Sequence, residues 1–378
     1  MPSRISSLGA SFDVVVPCYN YARYLRDAVE SVLAQEVDLR ILIIDDASQD
    51  DSAVVGRALA EEDHRVTFLR HTENRGHIAT YNEGIAWAKA DFFVIFSADD
   101  IMLPGALARA AKLFLSDRRI SMVHGRAIEF EEGIPIEELL TGAVAVRPWM
   151  DTSAQTAPSG IGIAARILEE QLPGNPALFT TAEFYRSNRK FNRVHTASVV
   201  SRTAVQKEVG GYRAELPHAG DYEMWLRLSA HGLVGYVPRF QAAIRRHPRN
   251  MSRQYGYEQD ILQRALSLEA VDEACGSILP DGLMMEMRAS IAGEAVRAAG
   301  IALAQGDRKL RAQLETTATE LYPGVVGGMG WKLYRLKQML GPRVWNQIRD
   351  GKLRSKKAIG QMRAYLASAR FATDGRRR

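Results

Sequence analysis

Apolar positions in the first hundred residues follow two alternating spacings. Four short runs rich in β-formers are bounded by turn residues, which predicts strands at 12–17, 39–44, 65–70 and 92–96. Between these runs apolar residues recur at helical spacing, which predicts helices over 24–33, 52–62 and 78–88. Alternating strands and helices are typical of the α/β class, so we expect a doubly wound, mostly parallel sheet with flanking helices.

The alternation weakens after Phe130. Residues 131–175 contain glycine, proline and threonine without a clear period, and we interpret 131–190 as an irregular insertion. Regular patterns then return and predict a strand at 197–201, a helix over 222–230 and a strand at 234–238.

Helix-forming residues dominate from Tyr257 onward. A helical hairpin is predicted over 298–321, with its turn at Gly306 and Asp307. Because 378 residues exceed what one hydrophobic core usually holds, about two domains are expected. We therefore divide the chain into a first domain at 1–252, a helical extension at 253–330 and a C-terminal tail at 331–378.

The overall composition is that of a soluble globular protein. Apolar residues make up 46% and charged residues 25% of the chain, which excludes the collagen-like, disordered and membrane-spanning classes. The two cysteines, Cys18 and Cys275, are too few for a disulfide framework and indicate a reducing compartment. No signal-peptide pattern and no apolar run of spanning length occurs, so a cytoplasmic protein is expected.

Charge is distributed unevenly along the chain. The segment 331–378 contains 14 lysines and arginines but only two aspartates, so its formal charge is +12. The rest of the chain carries −7, although the net charge of the whole is only +5. The small net charge is therefore the sum of an acidic body and a basic tail.

The beginning of the basic tail is amphipathic. Apolar residues interleave with its cations at Trp331, Leu333, Tyr334 and Leu336. Such a stretch either binds an anionic membrane, placing the protein peripherally on its cytoplasmic face, or packs against the acidic body with its charges solvated. Nucleic acid is not an expected partner, because no groove-reading or base-stacking motif accompanies the cations.

Acidic and small polar residues follow three of the predicted strands. Ligands of open parallel sheets lie beyond the carboxyl ends of the strands, so these residues are the candidates for chemistry. They are Cys18 to Asn20 after the first strand, Asp45 to Ser48 after the second, and Ser97 to Asp100 after the fourth.

Paired carboxylates at a strand end suit a divalent cation. Mg²⁺ and Mn²⁺ accept oxygen ligands and commonly join one or two carboxylates to the oxygens of a diphosphate. Asp99 and Asp100 are the first candidates, the alternative being that either one caps a helix that Pro104 begins. Asp45 and Asp46 are ambiguous in the same way, since the polar residues after them, such as Ser48 and Asp50, can cap the next helix.

Several motifs over residues 12 to about 252 resemble those of family 2 glycosyltransferases with the GT-A fold. They are the segments 14–20 (VVVPCYN), 43–50 (IIDDASQD), 74–76 (NRG), 82–84 (NEG), 97–100 (SADD), 210–212 (GGY), 220–228 (GDYEMWLRL) and 245–252 (RRHPRNMS). Ser97 departs from the common pattern, which often has an aspartate there. The Gln-x-x-Arg-Trp motif of processive members is absent, so the resemblance is to non-processive enzymes of the bacterial surface-polysaccharide type.

This resemblance implies a role for each candidate residue. Contacts with the donor nucleotide are expected from Pro17, Tyr19, Asp46, Arg75 and Asp99. A Mn²⁺ or Mg²⁺ ion is expected on Asp99 and Asp100, with His247 as a further ligand. The diphosphate or the acceptor is expected near Arg245, His195 and His218.

The resemblance also implies that Asp221 is the general base. Displacement at the anomeric carbon with inversion requires that the acceptor hydroxyl lose its proton as it attacks, and a carboxylate within about 3 Å can take that proton. A simple helix N-cap is the alternative role for Asp221. Glu223 lies two residues further along the same helix and faces another side.

The implied activity is an inverting, metal-dependent, hexosyltransferase-type reaction. A sugar would move from a UDP, GDP or dTDP donor to a hydroxyl of a glycan or lipid-linked acceptor, in cell-surface polysaccharide or glycolipid synthesis, with the insertion on the acceptor side. Dehydrogenase, P-loop NTPase, α/β-hydrolase and zincin motifs do not occur. The alternative is a catalytically silent protein of the same fold that binds carbohydrate or a membrane surface.

Overall fold

The computed structural model of the chain describes residues 9–141, 146–148, 175–250, 256–341 and 345. It divides into two compact units, Met1–Gln254 and Tyr255–Arg378. The first unit combines strands and helices, and the described part of the second unit is helical.

The first unit is built on one sheet, in which the described residues form ten strands. Six longer strands run in one direction, namely β1 (Ser11–Cys18), β2 (Asp38–Asp45), β3 (Val66–Arg70), β4 (Phe92–Ile95), β6 (Ile120–Glu131) and β10 (Leu233–Arg246). Four short strands run against their neighbours, namely β5 (Ile101–Met102), β7 (Arg147–Pro148), β8 (Ala177–Phe179) and β9 (Val200–Arg202). The order is β3-β2-β1-β4-β9-β6-β10-β5, with β7 beside β6 and β8 beside β10. The predicted α/β class with a mostly parallel central sheet is confirmed.

Helices flank this sheet. They are α1 (Ala22–Leu33), α2 (Ser52–Glu62), α3 (His77–Trp87), α4 (Ala106–Ser116), α5 (Ile136–Thr141), α6 (Thr181–Asn188), α7 (Thr203–Val209) and α8 (Gly220–Ala230). The apolar face of α1 is buried and packs in one core with alternate residues of β1, including Val14 and Val16. The four strands and three helices predicted in the first hundred residues all lie within two residues of their expected bounds.

Strand β10 is much longer than the predicted strand at 234–238. The strand shifts register between Val237 and Phe240, and it then continues beside β6 to Arg246. A proline cannot donate to the ladder, but a bulge tolerates it, which is why the predicted end at Pro238 was wrong. Arg245 and Arg246 therefore belong to the strand and not to the segment after it.

Of two further predictions of local structure, one was only partly confirmed and the other was wrong. The expected strand at 197–201 is a 3₁₀ turn, Thr196–Ser198, followed by the short strand β9. Pro104 does not begin α4, because Gly105 in the left-handed region (φ 72°) precedes the first helical residue, Ala106. The described part of the expected irregular insertion contains α5, β7, β8 and α6, while 142–145 and 149–174 lie outside the described residues.

The described part of the second unit consists mainly of helices α9 (Tyr257–Cys275), α10 (Leu283–Gln305), α11 (Arg308–Leu321) and α12 (Met329–Leu340). The predicted turn at Gly306 and Asp307 joins α10 to α11, and Asp307 caps α11 by accepting the Leu310 N–H at 2.9 Å. Helix α12 packs against α10 and buries Tyr334. Every helix in the described part of the chain is too short or too polar to cross a bilayer. Most of the basic tail, 342–344 and 346–378, lies outside the described residues.

Helix α3 approaches β1 so closely that position 84 has room only for glycine. A Cβ on Gly84 would lie 2.6 Å from Cγ1 and 2.7 Å from Cγ2 of Val15. We expect Gly84→Ala to lower the free energy of unfolding by about 1–3 kcal/mol, because overpacking forces the helix and the strand apart. Denaturant-induced unfolding measures this change.

Val15→Ala supplies the matched background, since it removes both methyl groups that the new Cβ would meet. Gly84→Ala should cost less in that background than in the unmodified chain. An equal cost in both would show that Val15 is not the obstacle.

Candidate functional site

The carboxyl ends of β1, β2 and β4 open into one cavity of about 870 Å³, which Asp221 reaches from α8. Seven candidate residues line it, namely Pro17, Tyr19, Asp46, Asp99, Asp100, His195 and Asp221. Four other candidates do not line it, namely Arg75, His218, Arg245 and His247. The structure therefore brings together the acids that follow separate strands.

The loops after β1 and β2 have an unusual backbone shape. Asn20 and Ala47 both have a φ of 60°, a region that residues other than glycine rarely adopt. Two hydrogen bonds tie the loops together: Asn20 N–H donates to Ser48 Oγ at 2.9 Å, and Gln49 N–H donates to Asn20 Oδ1 at 2.8 Å. These contacts shape the cavity wall next to Tyr19, which is 45% exposed.

Asp46 is buried beneath the segment that joins β3 to α3. Its carboxylate accepts the backbone N–H groups of Arg75 and Gly76, both at 2.8 Å, and lies 2.7 Å from His71 Nδ1. His71 Nε2 lies 3.0 Å from Glu83, which also pairs with the Arg75 guanidinium at 2.8 Å. Asp46 therefore orders this segment, and Arg75 is bound at both its backbone and its side chain.

The two carboxylates after β2 lie in different surroundings. Asp45 is fully buried, accepts the Ser48 N–H at 3.1 Å and lies 3.2 Å from Arg70 Nε. Asp46 lines the cavity, whereas Asp45 does not. Successive side chains of a strand point to opposite faces, so only one of the pair reaches the cavity.

The ends of the helices decide the capping alternatives. Gly105 precedes α4, and no side chain caps that helix, so Asp99 and Asp100 are not its caps. At the start of α2, Asp50 accepts the Ser52 N–H at 3.0 Å. Asp50 therefore contacts the start of α2, whereas Asp99 and Asp100 do not cap α4.

Asp99 is held on the cavity wall by the segment after β10. His247 Nε2 lies 2.9 Å from Asp99 Oδ2, and His247 Nδ1 accepts the Arg249 N–H at 3.1 Å. The second contact leaves the proton of a neutral imidazole on Nε2, where it is donated to Asp99. The rings of Tyr21 and Tyr24 flank the imidazole, with centroids 5.5 and 5.0 Å away. In this arrangement His247 orients Asp99. The predicted role of His247 as a metal ligand through Nε2 would require the tautomer that carries its proton on Nδ1.

Asp100 and Arg245 are buried beside Asp99. The Arg245 N–H donates to Asp100 Oδ1 at 3.2 Å, and Arg245 Nε donates to the Asp99 carbonyl at 3.1 Å. The guanidinium also pairs with Asp27 at 3.0 Å and lies over two aromatic rings. Burial and the adjacent charge of Asp99 raise the pKa of Asp100 well above its usual range. Arg245 is bound within the protein wall, and its contact with a diphosphate stays a prediction.

Asp221 lies in the first turn of α8. The residue at the N-cap is Ala219, so the alternative of a simple capping role is wrong. Thr196 Oγ1 and the Tyr212 hydroxyl donate hydrogen bonds to the Asp221 carboxylate. Burial raises the pKa of Asp221, and these two hydrogen bonds oppose the rise. A carboxylate with increased proton affinity therefore faces the cavity.

Tyr212 is fixed in turn by α3. Asn82 Nδ2 donates to the Tyr212 carbonyl at 2.9 Å, and the Tyr212 N–H donates to Asn82 Oδ1 at 2.6 Å. A Cβ at Gly211 would lie 2.4 Å from Asn82 Oδ1, so the glycine before Tyr212 permits this close approach. The Tyr212 ring also packs edge-on against Tyr81, with centroids 5.1 Å apart. The orientation of Asp221 thus depends on a helix that is distant in sequence.

Three histidines lie near Asp221. His77 and His195 line the cavity, whereas His218 does not, although the charges of His77 and His218 act to lower the pKa of Asp221. Burial lowers the pKa of His195 to about 4, so this side chain is neutral at pH 7. His195 Nδ1 accepts the Ala197 N–H at 3.2 Å. These contacts leave the predicted acceptor roles of His195 and His218 as predictions.

Glu223 lies in a different environment from Asp221. It is fully buried and forms ion pairs with Arg227 at 2.6 Å and Arg213 at 3.2 Å. Arg227 also donates to the Gly211 carbonyl at 2.8 Å. Glu223 therefore supports the segment before α8 and does not line the cavity.

Sequence reasoning missed several residues of the site. His71 contacts Asp46 and Glu83, and Thr196 donates a hydrogen bond to Asp221. Among the described residues that line the cavity, Arg249 is the only lysine or arginine. His71 directly follows β3, so the same strand-end rule could have found it. The contact between Thr196 and Asp221 joins residues 25 positions apart, and no local sequence pattern indicates it.

The described residues suit a metal ion only if a bound ligand supplies part of its coordination. Among them, no group of three or more His, Cys, Asp or Glu side chains could hold an ion by itself. Asp99 and Asp100 both line the cavity, and sites for Mg²⁺ commonly use one or two carboxylates with substrate phosphates completing the coordination. The donor set is therefore suited to an ion bound together with a diphosphate.

Comparison with known proteins relates the first part of the chain, including several residues of this site, to one family. The model of glycosyl transferase family 2 matches residues 13–157. The uncharacterized protein MT1568 of Mycobacterium tuberculosis is 25% identical over 236 residues, 62% of this chain and 66% of that protein. The succinoglycan biosynthesis protein ExoU of Rhizobium meliloti is 30% identical over 128 residues, 31% of this chain and 37% of ExoU. The GalNAc(5)-diNAcBac-PP-undecaprenol beta-1,3-glucosyltransferase of Campylobacter jejuni is 34% identical over 97 residues, 25% of this chain and 31% of that enzyme.

These sequence matches are partial, whereas a structural match extends over most of the chain. The chain spans between about a third and two thirds of the length of these relatives. The structure of S. aureus TarS 1–349 in complex with UDP-GlcNAc has a TM-score of 0.63 at 13% identity and covers 91% of this chain and 93% of its own. That likeness concerns the fold, and the family match includes Asp46, Asp99 and Asp100 but ends before Asp221. Residues 13–157 match glycosyl transferase family 2, and the chain has a GT-A-like fold followed by a helical region.

Proposed function

We propose that the chain transfers a sugar, with inversion, from a nucleotide-diphosphate donor to a hydroxyl of a glycan or lipid-linked acceptor. The observation that carries the proposal is that Asp99, Asp100 and Asp221 line one cavity. The first two suit a metal ion and the donor. The third suits removal of the acceptor proton.

The charge of the cavity supports metal dependence. Five carboxylates line it, while Arg249 supplies the only guanidinium among its described lining residues. Such a wall repels a free diphosphate unless a divalent cation binds with it. Asp99 is the proposed protein ligand, with Asp100 beside it and the diphosphate oxygens in the remaining positions. Mn²⁺ or Mg²⁺ would supply neutralisation of the charge on the leaving diphosphate.

The nucleotide is proposed to lie against the loops after β1 and β2. Pro17, Tyr19 and Asp46 line this part of the cavity, and Asp46 orders the backbone around Arg75. The structure of TarS with UDP-GlcNAc supports a nucleotide-sugar donor, because the two chains have the same fold. UDP, GDP and dTDP sugars are the donors to compare.

Asp221 is the proposed general base. The acceptor oxygen forms a bond to the anomeric carbon while the bond from that carbon to the diphosphate breaks, and the diphosphate leaves with the electron pair. The proton of the acceptor hydroxyl passes to Asp221. The raised pKa of this carboxyl makes it a better proton acceptor than an exposed aspartate.

The proposed acceptor class comes from the relatives. ExoU is named for succinoglycan biosynthesis, and the Campylobacter enzyme is named for glucosyl transfer to an undecaprenol-linked glycan. We infer a role in the synthesis of a polysaccharide or glycolipid. The alternative is a catalytically silent protein of the same fold. Such a protein would bind the donor without transferring its sugar.

Metal-dependent donor binding is the first test. We expect calorimetry to show that Mn²⁺ strengthens binding of UDP, GDP or dTDP by about tenfold or more over EDTA, because the cation offsets repulsion from the cavity carboxylates. Asp99→Asn should remove most of this gain. Asp38→Asn is the matched control, since Asp38 is exposed at the opposite end of β2. If Asp99→Asn kept the full gain, the proposed ligand would be wrong.

Loss of the general base is the second test. Asp221→Asn should lower kcat by about 10²–10⁴-fold, because the amide cannot take the proton, while Kd for the donor changes little. Glu215→Gln, an exposed carboxylate on the segment before α8, should leave both quantities unchanged. Transfer assays with a donor panel measure the first quantity and calorimetry the second. Full activity in Asp221→Asn would remove this residue from the mechanism.

The pH profile is the third test. The Tyr212 hydroxyl stabilises ionised Asp221, so Tyr212→Phe should raise the pKa of Asp221 further. Because the base acts only when ionised, the acid limb of kcat/KM should move to higher pH. One hydrogen bond of about 1 kcal/mol corresponds to a shift of just under one unit.

Tyr236→Phe is the control for this shift, because Tyr236 lies on β10 away from the cavity lining. Its acid limb should coincide with that of the unmodified chain. An unshifted limb in Tyr212→Phe would contradict the role of Tyr212 in positioning the base.

A further inference from the structure

The helical unit contains a second cavity, of about 780 Å³. One wall is the small-residue side of α10, including Gly293 and Gly300. The 3₁₀ segment Pro323–Gly327 and helix α12 contribute to the other walls, together with Trp345. The volume is within the range of sites that hold small molecules.

The lining of this cavity is apolar, aromatic and cationic. Aromatic rings come from Tyr322, Trp331, Tyr334 and Trp345. Cations come from Arg297 and Lys337, and no carboxylate or side-chain amide is among the described lining residues. The aromatic faces exclude water around a hydrocarbon chain, and the cations favour an anion beside it.

Two carboxylates that contact lining residues have other partners as well, or are already bound by them. Glu294 is buried and pairs with Arg264 at 2.8 Å, while Arg297 lies 3.8 Å from it with a side chain that is 62% exposed. Glu315 accepts a hydrogen bond from the Tyr334 hydroxyl. Lys337 donates to the Gly300 carbonyl and is one of the two cationic residues of the described lining. The cavity therefore keeps a positive character.

Apolar side chains are also exposed on the segments that form the cavity. Val326, Met329, Leu333 and Met339 are 45%, 65%, 43% and 64% exposed. Lys332 and Arg335 stand among them on α12, at the start of the segment 331–378 that carries +12. Exposed apolar residues flanked by cations are typical of a surface that meets anionic lipid.

We propose that this cavity and its rim bind an anionic phospholipid at a bilayer surface. An acyl chain lies against the glycines of α10 and the rings of α12, and the phosphate lies near Arg297 and Lys337. A glycan is the less suitable occupant, because the described lining offers rings but no carboxylate or side-chain amide to bind its hydroxyls. The inference concerns the second unit alone and does not depend on the proposed transferase activity.

Filling the cavity is the most direct experiment. A Cβ on Gly293 would meet no atom within 4 Å, so a side chain fits there without backbone strain. We expect the full chain to float with vesicles of phosphatidylcholine and phosphatidylglycerol about tenfold more strongly than with phosphatidylcholine alone. Gly293→Trp should weaken binding to the anionic vesicles by about tenfold, whereas Gly293→Ala, which adds only a methyl group, should bind as the unmodified chain does.

The charge is tested separately. Arg297→Gln should weaken binding to the anionic vesicles by about fivefold, the effect of removing one cation near an anionic surface. Arg308→Gln is the matched control, because it removes the same charge from an exposed position on α11 outside the cavity lining. Equal losses in both variants would show a general charge effect and overturn the proposed site.

Fluorescence locates the lipid independently of affinity. Bromine-labelled acyl chains quench tryptophans that they touch, so they should quench the unmodified chain and lose most of this effect in Trp331→Phe with Trp345→Phe. Circular dichroism and thermal melting confirm that each variant is folded. Unchanged binding by folded Gly293→Trp, or undiminished quenching in the double variant, would overturn the proposal.

Discussion

Negative charge at the carboxyl edge of the sheet is the constraint on which the first unit depends. A buried carboxylate is costly unless hydrogen bonds or opposite charges compensate it. Asp45 has Arg70, Asp46 has two backbone donors and His71, and Asp99 has His247. Asp100 has a backbone donor but lies beside a second carboxylate, and the pKa of its carboxyl rises accordingly. The negative charge is therefore least well compensated at Asp99 and Asp100, where the proposed metal ion would compensate it.

The register of the short strand β5 on the long strand β10 explains how the partners of Asp99 and Asp100 reach them. Strand β5 begins directly after Asp100 and pairs antiparallel with β10, where Ile101 lies opposite Ala243. Two residues further along β10, Arg245 contacts both acids, and the chain then turns to bring His247 to Asp99. A slip of one residue would turn Arg245 to the opposite face of the sheet. The extension of β10 beyond Pro238 is therefore what completes this part of the site.

The sequence alone predicted the elements whose periodicity is local, and it predicted which strand ends are acidic. Alternation alone could not separate Asp45 from Asp46, because it shows that the two point in opposite directions but not which one points to the cavity, whereas the family resemblance selected Asp46. The predicted β10 ended at Pro238, because a register shift with a neighbouring strand leaves no local signal. Tyr212 and Asn82 are 130 residues apart, and only the packing of α3 against the segment before α8 brings them together. Local patterns thus give the parts of the site, and long-range contacts give the orientation of each part.

The cavities of the two units differ in the charge of their lining residues. One cavity is lined by five carboxylates and one arginine, and the other by two cations and no carboxylate among the described residues. A free anion is attracted to the second and repelled by the first. The proposed diphosphate donor therefore binds the first cavity together with a cation, whereas the proposed lipid phosphate needs none in the second. The formal charge of the sequence differs in the same direction, since residues 1–254 carry −2 (29 Lys+Arg and 31 Asp+Glu) and residues 255–378 carry +7 (20 and 13). The ligands proposed for the two cavities thus share a phosphate group and differ in whether a metal ion accompanies it.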